Sequence, residues 1–372
     1  MSAVLEAWHT VSNVAEIPSP ALLVYPERIE ENVRRMLKLA DGPERLRPHM
    51  KTHKMPELIR MQMSHGIRKF KCATVAEAEM VASCGAPDVL LAYQPVGPNI
   101  GRVLRLAKRY PGTRFSVVVD DRGVLESISA ATRQTNLTLD VLLDVDCGMH
   151  RTGIAPGQAA IELYARIEKL PAVHPAGLHA YDGHIHDSDL DARTKRCDES
   201  FAQVALLCRQ LTDLGLSVPK LVVGGTPTFP IHARRAGVEC SPGTCLLWDA
   251  GYGRKLPDLD FLPAALVLTR VVSKPGDDRL CLDLGHKAIA SENPHPRVEF
   301  LGLPDAKALT HSEEHLVIET PQASRFSVGD ALYGIPWHIC PTVALHSEVV
   351  VVQHGRAETR WKVIARDRFL TV

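Results

Sequence analysis

From about residue 20 to residue 225 the chain repeats one unit, a short apolar strand followed by an amphipathic helix. Short apolar runs bounded by turn residues read as buried strands, and helical periodicity between them reads as crossover helices. Strands are expected over 21–25, 47–51, 69–73, 88–93, 114–120, 140–146, 176–181 and 220–225. Helices are expected over 26–39, 56–64, 98–109 and 191–214, and Thr74 with Glu77 forms a capping box that starts another. Parallel strands of this kind need both faces covered, so an α/β architecture follows. The count of strands and the length of 372 residues favour a closed (β/α)8 TIM-type barrel over an open doubly wound sheet.

After about residue 255 the texture changes. Segments 264–272, 316–319 and 348–352 read as strands without intervening helices, with turn signals at 274–278 and 354–356. We expect a barrel over residues 20–255 and a C-terminal, mostly antiparallel β domain over 256–372, which residues 1–19 could join with a strand.

Composition narrows the partners. Lys+Arg (43) equals Asp+Glu (43), so no global field favours nucleic acid or an anionic membrane. No apolar run approaches the ~20 residues that span a bilayer. The first nine residues lack the basic-then-apolar layout of a signal peptide. Nine scattered cysteines, with no Cys-x-x-Cys, argue against a disulfide framework or a structural zinc cluster. The expectation is a soluble protein of a reducing cytoplasm.

The most polar strand is the one to weigh chemically. In Leu46-Arg47-Pro48-His49-Met50-Lys51-Thr52-His53-Lys54, alternation would put Arg47, His49, Lys51 and His53 on one face and Met50 on the other. Such a row in a core demands something anionic or electrophilic against it. Neighbouring cations and burial both disfavour a charged lysine, which suits one that forms a Schiff base. The plain alternative is an edge strand whose basic groups face water.

Reactive groups of a barrel lie at the C-terminal ends of its strands. Lys51 falls there, as do Asp146-Cys147-Gly148-Met149-His150-Arg151-Thr152-Gly153, Tyr181-Asp182-Gly183-His184-Ile185-His186-Asp187 and Gly224-Gly225-Thr226-Pro227. Cys240-Ser241-Pro242-Gly243-Thr244 follows soon after. Two glycine-plus-hydroxyl turns near the last strand supply close backbone approach, N–H groups and a hydroxyl, which are what a phosphate needs. Together with a lysine and an arginine they form a set suited to pyridoxal phosphate.

The stretch from Arg47 to Lys54 resembles the cofactor-lysine motif of the D-threonine aldolase / D-serine dehydratase family, and 146–153 resembles a motif of the wider alanine-racemase-like barrel enzymes. Tyr181, Gly224-Gly225-Thr226 and Gly243-Thr244 match in order and approximate spacing, and the likeness covers nearly the whole chain. It implies a Schiff base at Lys51 with His49 beside it, Arg151 near the pyridoxal ring and Tyr181 at the cofactor. It also implies phosphate held by Gly224, Gly225, Thr226, Gly243 and Thr244, and a homodimer. Lys54 matches the motif's second lysine, which is not the one that binds cofactor.

Pro336-Trp337-His338-Ile339-Cys340-Pro341-Thr342 is a second mark. On a strand, His338 and Cys340 would point to one side and could share an ion, and imidazole with thiolate favours zinc or a similar borderline metal. The resemblance makes this the divalent-metal site (zinc, manganese or magnesium). His-x-Cys is the pattern of the dehydratase branch, whereas the aldolases carry His-x-Asp; Asp182 also stands where those aldolases have a histidine. His186 is the preferred catalytic base, with His184 beside it. The implied activity is a metal-assisted lyase on a D-β-hydroxy amino acid: retro-aldol cleavage to glycine and an aldehyde, or β-elimination to a keto acid and ammonia from D-serine or D-3-hydroxyaspartate. An amino-acid racemase and a non-catalytic cofactor carrier are the remaining readings.

Overall fold

A computed structural model describes residues 8–372, which form two compact units. Most of the N-terminal stretch expected to lack a signal-peptide layout, residues 1–7, lies outside the described residues. One unit comprises residues 34–243 with 367–372; the other comprises residues 244–366 with those up to 33.

Strand β1 (Ala21–Val24) and helix α1 (Pro26–Ala40) come first. Seven parallel strands follow in sequential order: β2 (Lys69–Cys72), β3 (Asp88–Leu91), β4 (Arg114–Val119), β5 (Leu139–Val145), β6 (Val173–Ala180), β7 (Leu221–Val223) and β8 (Glu239–Cys240). Helices alternate with them, among them α2 (Pro56–Ser64), α3 (Val75–Ser83), α4 (Pro98–Arg109), α5 (Arg122–Gln134), α6 (Gln158–Lys169) and α7 (Leu190–Asp213). The capping box at α3 is present: Thr74 accepts from the Glu77 N–H at 3.1 Å, and Glu77 accepts from the Ala73 N–H at 2.6 Å.

The two edges of this curled sheet are joined by residues 46–49. The N–H groups of Arg47 and His49 donate to Cys240 and Pro242 at 2.9 and 2.8 Å, and the Lys71 N–H donates to Pro48 at 2.9 Å. The segment is thus the eighth member of a closed ring. Two strand expectations change here and offset each other. Segment 21–25 is not part of the ring, and β8, only two residues long, carries no apolar run that could announce it. The compact units divide at 33/34, 243/244 and 366/367.

The ring is filled in layers. At the N-terminal ends of the strands, fully buried Arg47 pairs with Asp88 at 2.7 Å and Glu239 at 2.6 Å. Lys69 joins Glu239 at 2.7 Å, Arg114 pairs with Asp140, and Lys220 stands 3.5 Å from Asp88. Of the basic row, Arg47 alone is met by these two carboxylates. Leu90, Val118, Leu142, Ala176 and Val222, one from each of five successive strands, make the apolar plug.

The other unit holds β9 (Ala265–Gly276), β10 (Arg279–Leu282), β11 (Val298–Phe300), β12 (Lys307–His311), β13 (Leu316–Glu319), β14 (Ala331–Pro336), β15 (Glu348–Gln353) and β16 (Arg356–Lys362). The sheet runs β12-β13-β10-β9-β1-β15-β16, with β14 also on β9 and β11 on β14. β1 is antiparallel to β9 and parallel to β15; the other pairings in this sheet are antiparallel. No strand forms over residues 8–20; instead Val11 and Ile17 pack with Leu23, Leu266, Leu268 and Val350. Among the described residues no helix is long and apolar enough to cross a membrane, and all nine cysteines are free.

Candidate active site

Lys51 leaves the strand alternation. After His49 the chain turns into a short 3-10 helix, Met50–Thr52, and the His49 Nδ1 accepts the Lys51 N–H at 3.3 Å. His53 is therefore not on the Lys51 face, contrary to the alternation. It is buried, its Nδ1 accepts the Met55 N–H at 3.1 Å and its Nε2 lies 3.2 Å from the Met50 sulfur. Burial pulls its pKa down to about 3. Lys54 is held by Glu77. The Lys51 side chain forms no hydrogen bond or ion pair among the described residues, and its Nζ lies 5.7 Å from the centre of the Tyr181 ring. Arg151 stands 4.9 Å from the same ring. A cavity of about 580 Å³ opens on Lys51, His49, Asp120, Asp144 and Arg151.

Tyr181, just after β6, fits against glycines. A Cβ on Gly183 would lie 2.3 Å from Tyr181 Cε1, and one on Gly225 would lie 3.0 Å from Cε2. Gly183→Ala is accordingly expected to displace the Tyr181 ring, which a change in the near-ultraviolet circular dichroism would register.

Behind Lys51 lies a polar layer that alternation in the strands could have signalled but sequence reading passed over. Lys71 on β2 is 2% exposed. Asp144 and His179 are buried and paired at 2.7 Å. Burial lowers the His179 pKa, against the pull of Asp144, and its Nε2 is buried without a hydrogen-bond partner. His49 is held well below its ordinary pKa by burial, then by Lys51 and Lys71. Asp182 starts a second missed network: it takes His232 Nε2 at 2.8 Å and the Thr228 hydroxyl at 2.9 Å, and Thr228 receives the Gly225 N–H at 3.3 Å. Arg235 contacts the other nitrogen of His232 at 2.6 Å. Asp182, Cys197 and His232 have ligand atoms close enough to share a metal ion. Arg235 also reaches this cluster, at 3.6 Å from the Cys197 sulfur.

The turns are built as the residue types require. Gly224 has φ +73° and Gly153 φ +98°, conformations that favour glycine. The Gly243 N–H donates to the Thr226 hydroxyl at 3.1 Å, so the two glycine turns meet. Asp146 accepts the N–H groups of Gly148 and His150, both at 3.0 Å, and this shapes the loop that carries Arg151. In the next loop, Arg193 donates to the Asp187 carbonyl at 2.7 Å and Arg196 grips its carboxylate. His184 packs against Gly148, with its Nδ1 buried and unpaired, whereas His186 is exposed.

In the other unit, His338 and Cys340 do not sit on a strand. β14 ends at Pro336, His338 is the N-cap of a helix, Ile339–Leu345, and Cys340 lies in its first turn. The side chains still meet: Cys340 and His338 are hydrogen-bonded, Glu292 contacts His338 Nδ1, and the Thr244 hydroxyl lies 3.6 Å from the Cys340 sulfur. Burial disfavours charge on His338, but Cys340, Glu292 and Asp249 outweigh it and raise the pKa to about 9. Thiol, imidazole and an orienting carboxylate form a donor set that fits a divalent ion. Asp283 plays a structural part, accepting from Thr269 at 2.6 Å and the Arg270 N–H at 2.8 Å. His346 Nε2 donates to the Ala288 carbonyl at 2.8 Å.

Residues 24–250 match the model of the alanine racemase N-terminal domain, and residues 264–352 match the putative serine dehydratase domain. The chain is 32% identical to a D-threonine aldolase of Arthrobacter sp over 95% of its own length and 94% of that protein's. It is 30% identical to a 3-hydroxy-D-aspartate aldolase of Paracoccus denitrificans, over 95% and 93%. The crystal structure of the D-threonine aldolase from Filomicrobium marinum superimposes with a TM-score of 0.88 at 29% identity, covering 95% of this chain and 96% of that one.

Proposed function

The chain belongs to the alanine-racemase-like family that includes the D-threonine aldolases, and on that premise we propose that it is a pyridoxal-phosphate lyase of D-β-hydroxy amino acids. One observation carries the reading: an amine without a hydrogen-bond partner, Lys51, lies 5.7 Å from the centre of the Tyr181 ring and opens with Arg151 on a cavity of about 580 Å³. The residues fit the cofactor. Gly183 and Gly225 let the Tyr181 ring lie close against the backbone, Gly224-Gly225-Thr226 and Gly243 bring N–H and hydroxyl groups together, and His179 presents an unpaired nitrogen.

When bound, pyridoxal phosphate supplies an electron sink for charge at Cα, and a divalent metal supplies Lewis acidity at the β-hydroxyl. Lys51 would hold the cofactor and is placed to carry a proton on Nζ. Arg151 and Tyr181 would orient the ring, with His49 beside Lys51. The turns at Gly224, Gly225, Thr226, Gly243 and Thr244 would hold phosphate, and Asp182 steadies the first turn through Thr228. His338 and Cys340 would hold the metal, with Glu292 orienting the imidazole. His186, on a loop pinned by Arg193 and Arg196, takes the proton of the β-hydroxyl.

Retro-aldol cleavage to glycine and an aldehyde is the reading favoured by the two aldolases above. Cys340 favours the second reading, elimination to a keto acid and ammonia. Incubation of the metal-loaded enzyme with D-threonine, D-serine and D-3-hydroxyaspartate decides between them. We expect glycine and acetaldehyde from D-threonine. A chelator is expected to lower the rate by at least about a hundredfold, the scale of lost Lewis-acid catalysis, with the cofactor band retained. Keto acid and ammonia would transfer the assignment to the dehydratase, and indifference to chelation would remove His338 and Cys340 from the chemistry. The same reading takes the protein as a cytoplasmic homodimer, which sedimentation of the purified protein can test.

A further inference from the structure

Lys71 is a buried lysine with no counter-charge in direct contact. It lies on β2 at an interior position, two residues beyond Lys69. Lys69 is ion-paired with Glu239 at 2.7 Å, but the Lys71 side chain forms no hydrogen bond or ion pair among the described residues. Its Nζ is 5.7 Å from the centre of the Tyr181 ring, the same distance as Lys51 on that ring. The charged and titratable groups around it are Lys51, Arg47, His49, His179, Asp144 and Asp182. The two carboxylates are already engaged, Asp144 by His179 and Asp182 by His232 and Thr228. Burial first, and then Lys51, pull the Lys71 pKa down to about 7. A buried ammonium without a partner destabilises the apoprotein, so its retention calls for an anion that arrives later.

We propose that Lys71 is a second anion-binding group of the cofactor pocket, its ammonium receiving an anionic oxygen of the cofactor held at Lys51. The inference rests on the reading of Lys51 as the cofactor lysine. The pocket then has two amines in distinct roles, one covalent and one electrostatic. Binding of the anion raises the affinity of Lys71 for its proton, because the opposite charge favours the ammonium form. Cofactor binding should therefore take up a proton near neutral pH.

The test compares wild type, Lys71→Met and Lys71→Arg. The probe is 4-deoxypyridoxine 5'-phosphate, which has the ring oxygen and phosphate but no aldehyde and so binds without Lys51. Calorimetry is expected to show Lys71→Met binding at least about tenfold more weakly, the scale of one charge-assisted hydrogen bond, and Lys71→Arg restoring most of the loss. Loss of binding with the phosphorylated probe alone assigns the oxygen to phosphate; equal loss with unphosphorylated 4-deoxypyridoxine assigns it to the ring. The melting temperature of the Lys71→Met apoprotein is expected to stay level or rise, which a merely structural lysine would not allow. Affinity within twofold of wild type in Lys71→Met overturns the proposal. Normal probe binding by wild type, with no borohydride-fixed adduct on Lys51, would instead overturn the cofactor-lysine reading alone.

Discussion

Lys51→Ala is expected to lose both the visible absorbance of bound pyridoxal phosphate and turnover, the latter by roughly 10⁴-fold or more, since covalent attachment and proton transfer go together. The argument is local. The 3-10 turn at Met50–Thr52 presents the amine where neither an acid nor a carbonyl occupies it. Alanine removes the amine but leaves the turn, because the backbone bond from Lys51 N–H to His49 Nδ1 does not need the lysine side chain. The turns at Thr226 and Gly243 proposed to hold phosphate remain, so the variant is expected to bind cofactor weakly and without an internal adduct. Borohydride reduction followed by peptide mapping locates the adduct in the wild type. A Lys51→Ala protein that kept its activity would sink the proposed chemistry.

Arg47→Met is expected to destabilise the fold by about 3–5 kcal/mol, the range for removing one partner of a buried pair and leaving the other charged. Arg47 is wholly buried, and both Asp88 and Glu239 are directed at it. Burial pushes both carboxyls up, but Arg47 overcomes this and holds each below its ordinary value. The sign follows from linkage. A group whose folded pKa is depressed adds stability that is present above its unfolded pKa, about 4, and is lost as pH falls through the lower folded value. Wild type should therefore lose stability in acid below about pH 4, whereas the variant should lose less over the same range, having already forfeited that term. Urea midpoints at pH 7 and pH 3.5 measure both effects. A variant as stable as wild type would mean that water reaches the two carboxylates.

The sequence and the fold agree where periodicity is strong and diverge where a segment is short or two-sided. Long helices such as α4 and α7 were legible within a residue or so, because apolar spacing and caps leave little freedom. β1 was legible as a strand but not as to its sheet, since Ala21-Leu22-Leu23-Val24 is buried on both faces and so looks like a ring strand. β8 was invisible because two residues have no period. The candidate site was legible at Lys51, Arg151, Tyr181 and the glycine turns, which carry their chemistry in local motifs. Lys71, His179 and the Asp182–His232 pair were not, because each matters through a partner at least 35 residues away or through the lack of one. The His338/Cys340 pair was found for a reason that did not hold: the two side chains meet through a helix N-terminus and not along a strand.

β1 lies between β9 and β15, and this has a consequence for how the protein is made. On a ribosome the strand at residues 21–24 emerges long before either neighbour, with two open edges and an apolar sequence. It must wait until about residue 353 has been synthesised. The ring waits as well: Arg102 on α4 is tied to the carbonyls of Arg368 and Val372, and buried Glu79 takes the Thr371 N–H at 3.1 Å. Nascent chains halted before residue 353 should therefore engage holdase chaperones through the segment that holds β1, and sensitivity to stalling should persist until residues 368–372 have been synthesised.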